Sequence, residues 1–272
     1  MDAFRNRVAI VTGASSGIGE ATSLALAAQG AHLVLAARSE DKLLEVARRA
    51  QDLGAPTALV VPTDVRDPEA CRKLVERTVE ALGRVDLLIN NAGAGDWSLL
   101  AYADPKRIEK LVRTNVLGLI YMSRFVAPVM LQQKAGTITQ IASLAGLMGL
   151  PFQAVYGATK AAVIAFTRSL RAELESYGVR VVLVLPGPVR TPFFTKANMG
   201  HFERLRLPVV EPEQAARRII AGSARGQRLV FMDSFGRLVY YSSLLMPGLV
   251  DRMAKQLYFR AQRWAQNQKS PA

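Results

Sequence analysis

Cysteine, histidine and acidic side chains are scarce in this chain. Its 272 residues hold one cysteine and two histidines, and 22 Asp plus Glu stand against 35 Lys plus Arg. A lone Cys71 makes no internal bridge, which excludes a disulfide scaffold and points to a reducing compartment. It falls in a predicted helix, where packing and not nucleophilic chemistry is expected of it. His32 and His201 are too few and too far apart for a metal site. No uninterrupted apolar run reaches the roughly 18 residues of a spanning helix. The opening MDAFRNRVAIVTG enters a strand-like segment with no apolar h-region of an export signal. A cytoplasmic protein, at most touching a membrane from its periphery, is the expectation. With 50% hydrophobic residues, 20 Gly and 13 Pro, disordered and collagen-like chains are also excluded. The length suits one large α/β domain, or two small ones at most.

The shortage of acids leaves a formal charge of +13. It is unevenly spread: residues 201–272 hold 12 basic and 5 acidic side chains, while residues 1–200 hold 23 and 17. The basic residues form no dense stripe interleaved with aromatics, so a nucleic-acid partner is not expected.

What the chain does have is alternation. Short β-branched runs at 7–12, 32–37, 58–62, 85–90, 137–142, 179–185 and 228–232 read as strands. Helical patterns separate them at 17–29, 40–53, 67–82, 105–132, 153–177 and 212–223. Ser39 is placed to cap the second of these helices. Near-continuous apolar strands alternating with helices predict a doubly wound parallel sheet covered on both faces. Such sheets bind ligands at the carboxyl ends of their strands.

The turn after the first strand reads Thr12-Gly13-Ala14-Ser15-Ser16-Gly17-Ile18-Gly19. Glycines there let backbone approach a pyrophosphate at a helix N-terminus, where free N–H groups and the helix dipole favour anions. An acid at the tip of the second strand would bind a ribose 2′-hydroxyl. Here that place holds Ala37 followed by Arg38. A guanidinium suits a 2′-phosphate, so NADP(H) is favoured over NAD(H).

These features, with Asn90-Asn91-Ala92-Gly93, Asn115, Ser143, Tyr156-Gly157-Ala158-Thr159-Lys160 and Pro186-Gly187, resemble the short-chain dehydrogenase/reductase family in its TGxxxGIG branch. The resemblance covers about residues 5–235. It implies a seven-stranded Rossmann-type sheet in the order 3-2-1-4-5-6-7, with one catalytic domain over 1–235 and a basic amphipathic extension over 236–272. For the cofactor it implies contacts from Gly13, Ser15, Ser16, Gly17, Ile18 and Gly19. It adds Asp64 with Val65, as the adenine-contacting acid and its neighbour, then Asn91, Ala92 and Gly93 at the end of the fourth strand. Asn91 reads equally as a strand-end cap. Pro186, Gly187 and Val189 complete the set with Thr191, which matches the position that meets the nicotinamide carboxamide or the diphosphate. Relatives assemble as homodimers or homotetramers through the helices at 105–132 and 153–177.

The same resemblance makes Tyr156 a proton donor to a substrate carbonyl. Lys160, one helical turn along, is expected to lower the phenol's pKa by favouring its anion. Ser143 would hold the carbonyl oxygen, and Asn115 a water leading from Lys160 to solvent. Ile141-Ala142-Ser143 departs from the family's usual pair of consecutive serines, leaving one neighbouring hydroxyl missing.

On the substrate side, Leu147, Met148, Leu150, Pro151 and Phe152 border the catalytic pair, and Pro192, Phe193, Phe194, Met199 and Phe202 follow the sixth strand. They predict a small hydrophobic ketone or alcohol as substrate. Arg190 and Lys196 leave room for an anionic end. In the tail, a helix over 249–264 would gather Leu249, Val250, Met253, Leu257, Ala261 and Trp264 on one stripe. That stripe can pack on the protein or a second subunit, or rest on an anionic membrane. A membrane-peripheral enzyme acting on a lipid, sterol or retinoid, anchored by this tail, is therefore a second expectation. A non-catalytic nucleotide-binding protein of the same fold is a third.

Overall fold

The computed structural model describes residues 3–193 and 207–267, with side chains through residue 259. Seven parallel strands form one sheet in the order β3-β2-β1-β4-β5-β6-β7: β1 Val8–Thr12, β2 His32–Ala37, β3 Ala58–Pro62, β4 Leu87–Asn90, β5 Gly136–Ile141, β6 Val179–Leu185 and β7 Leu229–Phe231. The expected Rossmann-type sheet is thus the one observed. Alternation along β1 shows how the sequence builds two cores from one strand. Ala9 and Val11 face one side with Leu33, Leu35, Leu87 and Ile89; Val8 and Ile10 face the other with Val34, Leu88 and Ile138.

Helices α1 Gly17–Ala27, α2 Glu40–Asp52 and α7 Pro212–Ala224 cover the first face. Helices α3 Pro68–Leu82, α5 Gly118–Gln133 and α6 Ala154–Leu174 cover the second. Cys71 is fully buried in α3, and burial pushes its thiol up to about 12. Such a thiol stays protonated and packs as a small apolar group. Ser39 does stand at the N-cap of α2, but its side chain makes no capping bond.

The helix expected over 105–132 is interrupted. It begins as α4 Pro105–Val112, widens into a π-helical turn at Arg113–Leu117, and resumes as α5. The extra residue in that turn rotates Asn115 into the interior, and π turns of this kind are frequent at functional sites. By length and composition Pro105–Gln133 could cross a membrane; in this fold it lies on the sheet with Met122, Val126 and Met130 fully buried.

Two further helices follow β7. Residues 234–245, whose sequence predicts no element, form α8 Ser234–Leu245. Its start is set by Asp233, whose carboxylate accepts from the Gly236 N–H at 2.7 Å. Pro247 then opens α9 Pro247–Asn267. The stripe predicted for this last helix is displaced only in part, since Val250 and Leu257 of that stripe stay half-buried. Ala254 and Tyr258 turn inward, while Leu249 and Met253 remain largely exposed; Ala261 and Trp264 lie outside the described side chains. The displacement has a cause in the loop after β5, where Asp251 Oδ1 accepts from the Gly149 N–H at 2.7 Å and fixes the rotation of the helix.

Candidate active site

At the carboxyl edge of the sheet, where β1 meets β2 on one side and β4 on the other, the chain makes the glycine turn. Gly13 takes φ +67, and a Cβ there would stand 2.9 Å from Ala92 Cα. A Cβ on Gly19 would lie 2.2 Å from Gly13 O. Only bare backbone fits, and it leaves the first N–H groups of α1 facing a cavity bordered by Ser15, Ser16, Gly17 and Ile18. Thr12 and Asn91 clasp this turn to β4. Asn91 Nδ2 donates to Thr12 O at 3.0 Å and Gly13 O at 3.3 Å, and the Asn91 and Ala92 N–H groups both donate to Thr12 Oγ1 at 3.0 Å. Asn91 therefore serves as the clasp of the strand end while also bordering the cavity. Gly19 stands behind the turn, outside the lining. The donors and the open backbone fit a pyrophosphate.

The far end of the same cavity is basic. Arg38 follows β2, and Thr63 N–H bonds Ala37 O at 2.8 Å, drawing the end of β3 beside it. Asp64, expected as the adenine-contacting acid, has both carboxylate oxygens engaged by Arg66. Arg66 Nε donates to them at 2.9 and 3.0 Å, Arg66 Nη2 to one of them, and the Arg66 N–H at 3.1 Å. That pairing holds the Asp64 carboxyl below its ordinary range, with the charge of Arg38 acting in the same direction. Arg66 and Lys42 border the cavity with Arg38, and sequence reasoning passes over both. No motif marks them; the adjacency of β2 and β3 brings them together.

At the other side, Ser143 follows β5 and Tyr156 and Lys160 stand on the first turns of α6, all three bordering the cavity. Ser143 Oγ accepts from the Ala145 N–H at 3.1 Å, which orients the hydroxyl. Lys160 Nζ donates to Ile141 O at 2.9 Å and lies 5.8 Å from the Tyr156 ring centre. The electrostatics correct one expectation. Burial pushes the Tyr156 phenol up to about 12, opposed by a hydrogen bond with Ser143. Burial brings Lys160 down to about 8. The protein thus keeps the phenol protonated where a lowered pKa was expected, because desolvation of the buried ring outweighs the other influences on it.

Asn115 is buried behind this group and does not border the cavity. Its Oδ1 accepts from the Ala94 N–H at 2.7 Å, and its Nδ2 donates to Ala94 O at 2.9 Å and Thr159 Oγ1 at 3.0 Å. Its side chain ties the loop after β4 to α6 between Tyr156 and Lys160.

The cavity, about 1230 Å³, runs without a break from Arg38 to Tyr258. Ordinary small-molecule pockets hold roughly 300–1,000 Å³, so this one has room for two molecules end to end. Gly187, Val189 and Thr191 border its middle, with Thr191 packed on Gly17. Of the segments expected around the substrate, Met148, Leu150, Pro192 and Phe193 border it, whereas Leu147, Pro151 and Phe152 do not. Phe194, Lys196, Met199 and Phe202 lie outside the described residues. Arg190 also fails to border the cavity; its Nε donates to Glu211 at 2.8 Å on the surface. The missing wall comes from α8 and α9, through Phe235, Val239, Val250, Ala254 and Leu257.

The sequence profile of the short chain dehydrogenases matches residues 7–201. An 11-beta-hydroxysteroid dehydrogenase A of Sesamum indicum is 36% identical over 264 residues, covering 93% of this chain and 75% of that one. An uncharacterized oxidoreductase of Staphylococcus saprophyticus is 39% identical over 202 residues, covering 74% and 86%. Among solved structures, a short chain dehydrogenase/reductase from Burkholderia phymatum in complex with NAD has a TM-score of 0.82 at 28% identity, covering 90% of this chain and 96% of that one. Sheet order, glycine turn and these similarities lead to one conclusion: the chain belongs to the short-chain dehydrogenase/reductase family of nicotinamide-dependent oxidoreductases.

Proposed function

We propose that the protein interconverts a carbonyl and a secondary alcohol on a largely apolar substrate, with NADP(H) preferred over NAD(H). The observation that carries this reading is the opening of Ser143, Tyr156 and Lys160 into the same cavity as the glycine turn. When bound along that turn, the nicotinamide dinucleotide supplies or accepts the hydride. Tyr156, protonated because it is buried, delivers its proton to the carbonyl oxygen. Ser143 donates a hydrogen bond to that oxygen as charge develops on it. Lys160, still an ammonium below about pH 8, supports the phenolate left behind. Asn115 keeps the loop at Ala94 and the helix at Thr159 in register, acting as a positioning residue.

Arg38, Lys42 and Arg66 at the adenine end support the preference for a 2′-phosphate. The apolar wall from α8 and α9 supports a bulky, lipophilic substrate, as does the likeness to relatives named for a hydroxysteroid. An NADPH-oxidation screen across ketones graded by size and polarity tests the reading. Large apolar ketones should be reduced fastest, and NADPH should outperform NADH at least about tenfold. Preference for small polar ketones, or for NADH, would contradict it. Assembly as a homodimer or homotetramer belongs to the same reading and is checked by light scattering.

A second reading, a membrane-peripheral enzyme taking its substrate from lipid, is favoured by the outer face of α8 and α9. Tyr241, Leu244, Leu245 and Leu249 are exposed there, Leu245 by 78%, beside the exposed cations Arg252 and Lys255. An apolar face edged with cations suits an anionic bilayer surface. Since these helices also wall the cavity, truncation would confound the test. Flotation with anionic liposomes should instead compare the wild type with Leu244→Ser/Leu245→Ser; unchanged flotation would remove the support for this reading.

A further inference from the structure

Beyond Ser143, Tyr156 and Lys160, the substrate half of the cavity is walled mainly by apolar side chains. Gln153 and Tyr258 are an exception that the proposed chemistry does not use. Both border the cavity, and both are almost wholly buried, at 3% and 2% exposure. Gln153 directly precedes α6 and stands three residues before Tyr156, so the two backbone positions lie about one helical turn apart. Its Nε2 donates to Tyr258 Oη at 3.4 Å, longer than the roughly 3.2 Å at which such bonds usually end. Among the described residues this is the one side-chain hydrogen bond Gln153 makes. A primary amide has a second donor hydrogen and a carbonyl oxygen to offer.

The pair is held in place by three segments distant in sequence. The Tyr258 ring stacks on Trp97 at 5.2 Å and 15°, and Trp97 stacks on Phe152 at 5.4 Å and 22°. Phe259 closes edge-on against Phe152 at 5.9 Å. Phe152 takes φ +65, a left-handed backbone that bulky residues rarely adopt. That bend immediately precedes Gln153, and the Ser98 N–H steadies it by donating to Phe152 O at 3.0 Å. The bond between Gly149 N–H and Asp251 ties α9 to the same loop. Backbone strain, an aromatic stack and a tether therefore converge on the position of one amide and one phenol. Burial pushes the Tyr258 phenol up, and a charge on Tyr156 would push it further. Tyr258 is thus a neutral hydroxyl, suited to an uncharged partner.

We propose that Gln153 and Tyr258 form a second polar subsite, which takes up a neutral hydroxyl or carbonyl oxygen of the substrate other than the one engaged by Ser143 and Tyr156. The substrate is then an apolar ketone or alcohol carrying at least one further oxygen. The inference rests on reading the cavity as a carbonyl and alcohol site, and it deepens that reading by naming the specificity of the apolar half. The physical reason for selectivity is that a simple ketone leaves the amide's oxygen and second N–H without a partner, so they lose their bonds to water without replacement.

The test is calorimetric binding of octan-2-ol, and of octanediols with the second hydroxyl further along the chain, to the full-length protein saturated with NADP+. At least one diol should bind about tenfold or more tightly than octan-2-ol. Tyr258→Phe, which keeps the ring stack, should reduce that advantage to within about twofold and leave octan-2-ol affinity unchanged. Gln153→Leu should do the same from the other member. Equal affinity for diols and octan-2-ol, or equal weakening of both by Tyr258→Phe, would overturn the subsite. Reduction of NADP+ is followed in parallel. Turnover without a diol advantage overturns the subsite and leaves the oxidoreductase reading standing. A diol advantage lost in Tyr258→Phe without any turnover supports the subsite and overturns the proposed reaction.

Discussion

The two ends of the cavity are built by different means. The nucleotide end is made of backbone: glycines that admit no Cβ, a helix N-terminus, and strand ends pinned by Thr12 and Asn91. The substrate end is made of side chains from helices that follow the sheet, locked by ring stacking and the Asp251 tether. Backbone geometry tolerates almost no substitution, so a shared cofactor is read by a part that must keep its sequence. Side-chain packing can be replaced piecemeal, so substrate choice can reside in a part that need not. The contrast makes unequal demands on mutation, and these can be measured.

Outside the proton donor itself, the largest effect should come from Gly19→Ala. Its methyl would meet Gly13 O at 2.2 Å, and displacing the turn should cost about 3 kcal/mol, close to a hundredfold in nucleotide affinity. Affinity within about threefold of wild type would show that the backbone end is as adaptable as the side-chain end. Next is pH. Since Lys160 loses its charge above about 8, kcat/KM for ketone reduction should fall about tenfold per pH unit above that value. A flat profile to pH 10 would remove Lys160's charge from the account. Arg38→Ala should weaken NADPH about tenfold by removing one exposed charge-assisted contact. NADH should change by less than about twofold, and equal loss of both cofactors would refute the 2′-phosphate contact. Smallest is Asp251→Asn. With the charge gone from the tether to Gly149, KM for a large ketone should rise about threefold, with nucleotide affinity unchanged. A change in nucleotide affinity would mean that the two ends are coupled.

The same contrast governs what can be read from sequence. The ranges of β2, β3 and β6 agree with the β-branched runs that predict them, because buried parallel strands announce themselves by composition. The glycine turn and the Tyr156 to Lys160 spacing are local patterns, and Gly13, Gly17, Tyr156 and Lys160 do border one cavity. Asn115's π turn is not legible, since inserting one residue into a helix leaves no change in apolar content. Helix α8 escapes because Tyr240, Tyr241, Ser242 and Ser243 give no clear helical period, although Asp233 at its start is a capping signal. The rotation of α9 is set by Gly149 and Trp97, which lie more than 100 residues away in the chain. Tyr258 is invisible for that same reason, being placed by Trp97; Arg66 is held by Asp64 two residues away and reaches the cavity because β3 lies beside β2.

The central claim is that Tyr156 supplies the proton while the rest of the cavity binds nucleotide and substrate without it. Tyr156→Phe keeps the ring and removes only the hydroxyl, so the decisive measurement pairs NADPH oxidation with NADPH binding in that variant. Ketone reduction should fall by at least about a thousandfold, within the range for loss of a positioned proton donor, while NADPH affinity stays within about twofold of wild type. Reduction that survives the change would contradict the account.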